Sequence, residues 1–414
     1  VTEADLQARL SLDVVESYAI AQNPAIRTAR QAWEAARQRI PQARAYDNLE
    51  VTYTPDTKNM AETRAGPQEN GIGIAQPIPF PGKLTLRGRV AEQEAEAAHD
   101  VLQATAQEVL RRVRASYAEY YLAARSLDVN TETTKLAREF AAIAETKYRV
   151  GAAPQQDVIQ AQEELSNLAA ERAGFEGDLP AAQGTLNALL DRPPRAPLGP
   201  AGELDAQALE VPLDALVAQA DGVRPELRAQ DHMIEARRRS LTLAKMGFLP
   251  DFKVGGQYIQ VGGGTNPEFA KDGNDIWMAT LGFSVPIWVN RVQAGVNEAR
   301  ARVMGEEFRR RDLANQVFDQ LQRAYERVGV AARVERIYRL TLIPQTQERI
   351  GSARAGYETA RVDFLTLIDS LTSLEDVRLK RYRAVRDYQQ ALGDLERAVG
   401  QPISRVGGAA EGQR

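Results

Sequence analysis

Between Thr85 and Tyr148 the chain has no proline and one glycine, Gly88. Along that run apolar or small residues fall at Leu102, Ala106, Val109, Val113, Ser116, Tyr120, Ala123 and Leu127, spaced 4-3-4-3-4-3-4. This is the 3.5-residue period of a helix packed lengthwise against neighbours. The breaker-free run predicts one helix of about 60 residues, roughly 90 Å long at 1.5 Å per residue. After a turn the spacing resumes at Val158, Ala161, Leu165, Leu168, Arg172, Phe175, Leu179, Ala182, Leu186 and Leu189. It returns once more at Leu367, Ser370, Leu374, Val377, Arg381, Ala384, Tyr388, Ala391, Leu395 and Ala398, again with an arginine at a core-type position. Helices of this length need lateral partners, and the alanines and serines on the seams favour close, broad contact.

Two stretches change period. Leu49–Thr54 alternates every second residue and predicts a strand; a polar loop with Gly66, Pro67 and Asn70 leads to a second strand over 71–78, ended by Pro77, Pro79, Pro81 and Gly82. Later, Asp251–Val261 reads as a strand, Gly262–Asn274 as a glycine-rich loop and Ile276–Val285 as a strand stopped by Pro286, since proline supplies no ladder donor. An Ala/Arg/Gln-rich helix over 12–45 precedes the first pair, and the second half keeps the same order. Strands of about ten residues cross a bilayer when tilted. Two hairpins are too few to close a barrel, and an open edge is not tolerated in lipid. Either they form a small soluble sheet or several copies pool their strands, three copies giving twelve. Tyr53, Tyr258, Trp277 and Trp288 lie in or beside these strands, where an aromatic belt at a lipid boundary would use them; a soluble sheet would bury them instead.

The order of elements repeats because the sequence does. Residues 11–43 superimpose without a gap on 212–244 with nine identities, among them Pro24/Pro225, Arg27/Arg228 and Glu34/Glu235. Near the end of each half Tyr148, Ile159, Leu165, Arg172, Asp178, Ala182, Gly184 and Leu186 recur 209 positions later, as Tyr357 through Leu395. A period of about 200 residues is far longer than a solenoid unit and indicates a duplicated half-structure. The predicted division is a first repeat over 1–191, a proline- and glycine-rich linker over 192–210, a second repeat over 211–403 and a flexible tail over 404–414.

Composition removes alternatives. A net charge of −4 gives no basic footprint for nucleic acid. There is no cysteine, hence no thiolate site, and His99 and His232 sit in charged helical runs as solvated residues rather than metal ligands. No run of 18 apolar residues exists. The start at Val1, without Met or signal sequence, suggests a processed form. No catalytic constellation, metal-ligand cluster or cofactor motif is found; Gly262-Gly263-Gly264 lacks the Lys-Ser/Thr of a phosphate loop and reads as an exposed hairpin loop. Asp157, six residues after Gly151, and Asp369, nine after Ala360, fall just inside long helix starts, where the dipole favours acids.

The repeat, the hairpins at matching offsets, and the turns Tyr148-Arg-Val-Gly151-Ala-Ala-Pro-Gln-Gln-Asp157 and Tyr357-Glu-Thr-Ala360-Arg-Val-Asp-Phe-Leu-Thr-Leu-Ile-Asp369 resemble those of the TolC-like outer-membrane efflux channels. The segment Gln76-Pro-Ile-Pro-Phe-Pro-Gly-Lys83 is similar to the strand-to-helix passage of members serving heavy-metal exporters. The resemblance implies a mainly α protein with a small β part. It would be a homotrimer whose twelve-stranded outer-membrane barrel continues into a long periplasmic coiled-coil tunnel. It further implies a passive exit duct of a tripartite pump, of the RND type, exporting heavy-metal cations or small toxic compounds. The partners would be a periplasmic adaptor (membrane fusion) protein, an inner-membrane pump and outer-membrane lipid. On the same basis Asp157 and Asp369, with Thr366 at the position matching Asp157, line the pore constriction. Arg361 and Arg149 are gate-latch candidates, and Gly151, Ala152, Ala153, Ala360 and Val362 form the adaptor-docking turns. The family usually carries glycine where this chain has Ala360, so a left-handed residue is not expected there. The competing readings are a structural coiled-coil interaction protein and a periplasmic adaptor, which would need more consecutive short strands than this chain offers.

Overall fold

The computed structural model describes residues 2–8, 10–55, 62–63, 66–262 and 273–403. In chain order these form α1 (Glu3–Gln7), α2 (Leu12–Gln22), α3 (Pro24–Arg44), β1 (Glu50–Thr54), β2 (Glu62–Thr63), β3 (Gly66–Ile78), α4 (Lys83–Arg149) and α5 (Gln155–Leu189). Then follow α6 (Leu213–Val223), α7 (Pro225–Lys245), β4 (Asp251–Val261), β5 (Ile276–Ser284), α8 (Val289–Ile337), α9 (Ile343–Glu358) and α10 (Phe364–Val399). The protein is mainly helical with one small sheet. The proposed tail at 404–414 and the glycines at 263 and 264 lie outside the described residues.

The predicted helix over 12–45 is two helices, broken at Asn23. Pro24 excludes helical backbone from the residue before it, and Asn23 takes φ −58° and ψ 126°. Its side-chain oxygen accepts from Ala25 N at 2.9 Å and its amide donates to Leu189 O at 2.8 Å. The second half breaks at the equivalent Arg224, before Pro225, at φ −62° and ψ 122°. Its guanidinium donates to Ala398 O at 3.3 Å, the position equivalent to Leu189. Asparagine and arginine thus play one role, since each ties the break to the last turn of the helix that closes its half.

α4 spans 67 residues as one helix. Its counterpart does not, because a π-helical turn at Tyr338–Leu342 separates α8 from α9. Pro344 lies just beyond, where a proline has no N–H to give and clashes with the carbonyl four residues back; a widened turn absorbs both. The polar loop predicted around Gly66, Pro67 and Asn70 belongs instead to β3. The proline-rich linker is no free spacer: Gly199 N donates to Leu6 O and Gly202 N to Leu10 O, both at 2.8 Å.

Two compact units emerge, each drawing segments from both repeats. The first comprises Val1–Arg30, Asp100–Arg228 and Asp312–Arg414; the second comprises Gln31–His99 and Ala229–Arg311. In the first, the seams of α4 and α10 are buried as predicted, with Val113, Leu367, Tyr388 and Leu395 fully inside. The seam of α5 is not continuous. Arg172 is exposed, ion-pairs with Glu176 at 2.8 Å and donates to Thr131 at 3.0 Å, so it is no core position. Arg381 differs: it holds the buried Glu335 at 3.2 Å.

The second unit carries the sheet, in the order β1-β3-β4-β5 with every pairing antiparallel. β2 pairs only with the start of β3. The flanking residues His99 and His232 are half-buried rather than solvated. His99 packs on Trp33 with ring centroids 4.9 Å apart, and His232 Nδ1 lies 2.9 Å from Gln93 Oε1.

Candidate functional site

The two turns that end α4 and α9 have the same backbone. Gly151 N bonds to Tyr148 O and Ala152 N to Lys147 O, at 2.9 and 2.8 Å. At the equivalent positions Ala360 N bonds to Tyr357 O and Arg361 N to Gly356 O, at 3.1 and 2.8 Å. This is the Schellman pattern, which requires a left-handed residue after the helix. Gly151 has φ +73° and Ala360 φ +58°. The expectation that Ala360 would avoid this region is therefore wrong: the two hydrogen bonds and the packing behind them override the cost of its methyl group. Gly356 makes room for the closure, since a Cβ there would stand 2.5 Å from Val362 Cγ2.

Behind the turns lies a buried cluster of Phe140, Ala144, Ala161, Leu168, Ala353, Tyr357, Phe364 and Leu367. Tyr357 in this cluster is 4 % exposed. Its hydroxyl donates to Asp157 Oδ2 at 2.8 Å, its ring meets Phe364 edge-on at 5.2 Å, and Lys147 Nζ lies 4.6 Å over its face. Lys147 also donates to the Tyr357 carbonyl. Burial, reinforced by the hydrogen bond to Asp157, pushes the phenol well above its ordinary range.

Asp157 is half-buried in the first turn of α5, as expected. Asp369 is not a helix-start residue: α10 begins at Phe364, and its cap is Asp363, which accepts from Thr366 N at 2.9 Å. Hydrogen bonding from the Thr366 side chain, followed by that from its backbone N–H, lowers the Asp363 pKa. Asp369 and Thr366 are exposed on the following turns and share a groove of about 670 Å3 with Glu348, Arg349 and Val362. Arg349 donates to the Asp369 carbonyl at 3.0 Å. Arg149 and Arg361 are exposed beside the turns; Arg149 reaches Thr146 Oγ1 at 3.4 Å, and neither forms an ion pair among the described residues of one chain. Gly151, Ala152 and Ala360 are exposed, while Ala153 and Val362 are half-buried. Sequence reasoning passes over Tyr357, Lys147 and Asp363. Only the last is signalled, by an aspartate immediately before a helical run.

The second site is the sheet. Cross-strand partners share a face, and the rows Tyr53/Ile72/Tyr258/Trp277, Val51/Ile74/Gly256/Ala279 and Ile78/Phe252/Phe283 make one face apolar. The opposite rows Thr52/Gly73/Gln257/Met278 and Glu50/Ala75/Gly255/Thr280 are polar or small except for Met278. The apolar face is bare: Trp277 is 79 % exposed, Leu281 73 % and Val51 68 %. Among the described residues both edge strands, β1 and β5, have one unpaired side. Tyr53, Tyr258 and Trp277 stand together at one end of the strands, with Tyr258 and Trp277 rings 4.8 Å apart. Trp288, 72 % exposed, stands at the other, between β5 and α8. No helix among the described residues is long and apolar enough to cross a membrane.

A family model described as outer membrane efflux protein matches the chain twice, over residues 16–192 and 216–401. The chain belongs to that family. This efflux protein is 22 % identical over 397 residues to the cobalt-zinc-cadmium resistance protein CzcC of Cupriavidus metallidurans, covering 94 % of this chain and 90 % of the relative. A membrane protein from Pseudomonas aeruginosa superimposes with a TM-score of 0.78 at 20 % identity, covering 97 % of this chain and 92 % of that one. CusC, described in terms of transmembrane channel formation, does so with 0.75 at 19 % identity, covering 97 % and 94 %. The chain is therefore an outer-membrane efflux protein, with the family match falling once on each of its halves.

Proposed function

We propose that the efflux protein is a homotrimeric, passive exit duct of a tripartite pump of the RND type. An adaptor docks on its helical turns and an inner-membrane pump drives the export. The observation that carries this reading is the sheet: β3, β4 and β5 of 13, 11 and 9 residues with a shorter β1 of five, a bare apolar face, a more polar face and, among the described residues, two open edges. In lipid an unpaired edge costs several kcal/mol per orphaned group, and three copies edge to edge satisfy every strand in a twelve-stranded barrel. Heavy-metal cations are the favoured cargo, supported by the likeness to CzcC and by the Gln76–Lys83 passage. Asp157 and Asp369, with Thr366, ring the constriction. Arg149 and Arg361, free of ion pairs among the described residues of one chain, are the cations available to pair across protomers and latch it. Gly151, Ala152, Ala153, Ala360 and Val362 present the adaptor surface, and Tyr53, Tyr258, Trp277 and Trp288 anchor the barrel at the two lipid boundaries.

The test is reconstitution. Detergent-purified protein should cross-link as trimers and give discrete conductance in planar bilayers. Loss of the gene should sensitise cells to cobalt, zinc or cadmium, and Gly151→Trp or Ala360→Trp should reproduce that sensitivity while leaving trimers in the membrane. Monomers with an intact β signal would overturn the assembly; resistance unaffected by both tryptophans would overturn the docking assignment.

A further inference from the structure

Within one chain α10 runs antiparallel along α4. Arg111 meets Asp394 at 3.3 Å, Glu119 meets Arg386 at 2.9 Å and Glu132 meets Arg378 at 2.7 Å, while the rings of Tyr121 and Tyr382 lie 6.0 Å apart. The repeat gives each of these residues a counterpart. α4 and α8 align 208 positions apart, which sets the buried Val109, Val113, Tyr120 and Ala123 on the equally buried Val317, Leu321, Val328 and Ala331. α5 and α10 align 209 apart, as Leu186 on Leu395, and the π turn takes up the extra residue. The counterparts of Asp394, Arg386, Tyr382 and Arg378 are then Thr185, Gly177, Ala173 and Ala169 of α5, all exposed and none of them large. On α8 the counterparts of Arg111, Tyr121 and Val129 are Asp319, Gly329 and Ile337. Val129 is 4 % exposed and Ile337 is 53 % exposed. The two faces that correspond to the α4–α10 contact are thus both bare in a single chain.

We propose that α5 of one copy packs antiparallel on α8 of a second copy, so that each boundary between copies repeats the α4–α10 contact made inside a chain. The inference rests on the homotrimeric duct proposed above and names the helices that join its copies. Two glycines support it. Gly177 and Gly329 sit inside long helices, where glycine weakens the helix, and a Cβ at either would meet no described atom within 4 Å. Among the described residues nothing calls for their small size. A close helix crossing does, because the distance between two helix axes follows the side chains at the contact. The charges agree as well. From Ala161 to Leu189, α5 carries five acids and one arginine; from Gln322 to Leu340, α8 and its π turn carry five arginines and two glutamates. Opposite excesses draw α5 towards α8 and disfavour α5 against itself. A contact between unlike faces is also the kind that closes copies into a ring.

The chain has no cysteine, so introduced thiols report contacts directly. Two full-length chains with different tags, one Ala173→Cys and the other Gly329→Cys, are expressed together in membranes. Oxidation or a short bis-maleimide should link unlike chains, whereas either variant alone should give no dimer. Ala188→Cys in place of Ala173→Cys, displaced by about 22 Å along α5, should lose the link. Adding Gly177→Leu to the Ala173→Cys chain should lose it too, with helix content unchanged, because leucine fills the approach without opposing the helix. Sedimentation in detergent reads the assembly independently. Trimers by sedimentation without the link from 173 to 329 overturn this pairing and leave the duct's assembly standing. Monomers without any link overturn both. A link between two Ala173→Cys chains, or one that Gly177→Leu leaves untouched, also overturns the pairing.

Discussion

Ala360 holds a conformation that its side chain opposes, and its neighbours set the size of the effect. A left-handed non-glycine residue costs about 1–2 kcal/mol, partly offset by the roughly 0.5–1 kcal/mol of extra unfolded-state entropy that glycine brings. Ala360→Gly should therefore stabilise the trimer by about 0.5–1 kcal/mol, read as a higher midpoint in denaturant. Gly400 is the reverse case. It ends α10 at φ +94°, and a Cβ there would lie 2.8 Å from Arg224 Cα. Strain and clash together predict a loss of roughly 2–4 kcal/mol for Gly400→Ala, measured the same way. The equivalent residue of the first half is Asp191, left-handed at φ 57°. Each half thus has two left-handed helix ends and spends glycine on only one, a different one each time. A sequence shows the glycines and hides their counterparts, which is why the conformation of Ala360 escapes it: two backbone bonds and the seating of Tyr357 impose that conformation, and that seating depends on Asp157 and Lys147, about 200 residues away.

At the scale of elements, Glu108 of α4 gathers Arg111, Arg112 and Arg397 of α10 within 2.8, 2.7 and 2.7 Å. The hydrogen bond from Arg111, with those from Arg112 and the charge of Arg397, holds its carboxyl down at about 2. A depressed folded-state value contributes stability that is full above the ordinary 4.5 and lost as pH falls through about 2. Glu108→Gln should lower stability at neutral pH and flatten the acid limb of the stability curve between those values, so that variant and wild type converge towards about pH 2, as denaturant midpoints across an acid titration followed by circular dichroism would show. The constriction assignment also belongs here. Asp157→Asn with Asp369→Asn should lower cation selectivity and weaken block by multivalent cations, while the amide oxygen introduced at the first site still accepts from Tyr357; unaltered selectivity and block would reduce both aspartates to structural residues. The long helices are legible because the 3.5 period persists over many turns and packing need only respect it. The breaks are less so. Pro24 and Pro225 stand in plain view, but a helical pattern continues on both sides of each, and only the tie from Asn23 or Arg224 to a distant carbonyl makes the break a joint. The π turn before Pro344 likewise leaves the heptad pattern downstream undisturbed.

The sheet sets the terms for the whole molecule. Its two faces differ so strongly that charge should be tolerated on one only. Leu281→Arg, on the bare apolar face, should cost about 2–4 kcal/mol near a bilayer midplane and abolish trimers in the membrane, whereas Thr280→Arg on the polar face should assemble and alter conductance. The period-two alternation announces both faces in the sequence, although the β3 strand runs further than its polar start suggests; Gly66, Pro67 and Asn70 are strand residues because β2 and β4 pair with that stretch, a fact of distant sequence. The open edges have a genetic consequence. A subunit whose β5 edge is spoiled can still offer a sound β1 edge to a neighbour, and so enters a ring that it then prevents from closing. Expressed equally with intact subunits and mixing at random, such a variant would leave only roughly an eighth of the trimers wholly normal. Edge defects in this protein should therefore be dominant, whereas a subunit that fails to fold at all, and never reaches its neighbours, should be recessive.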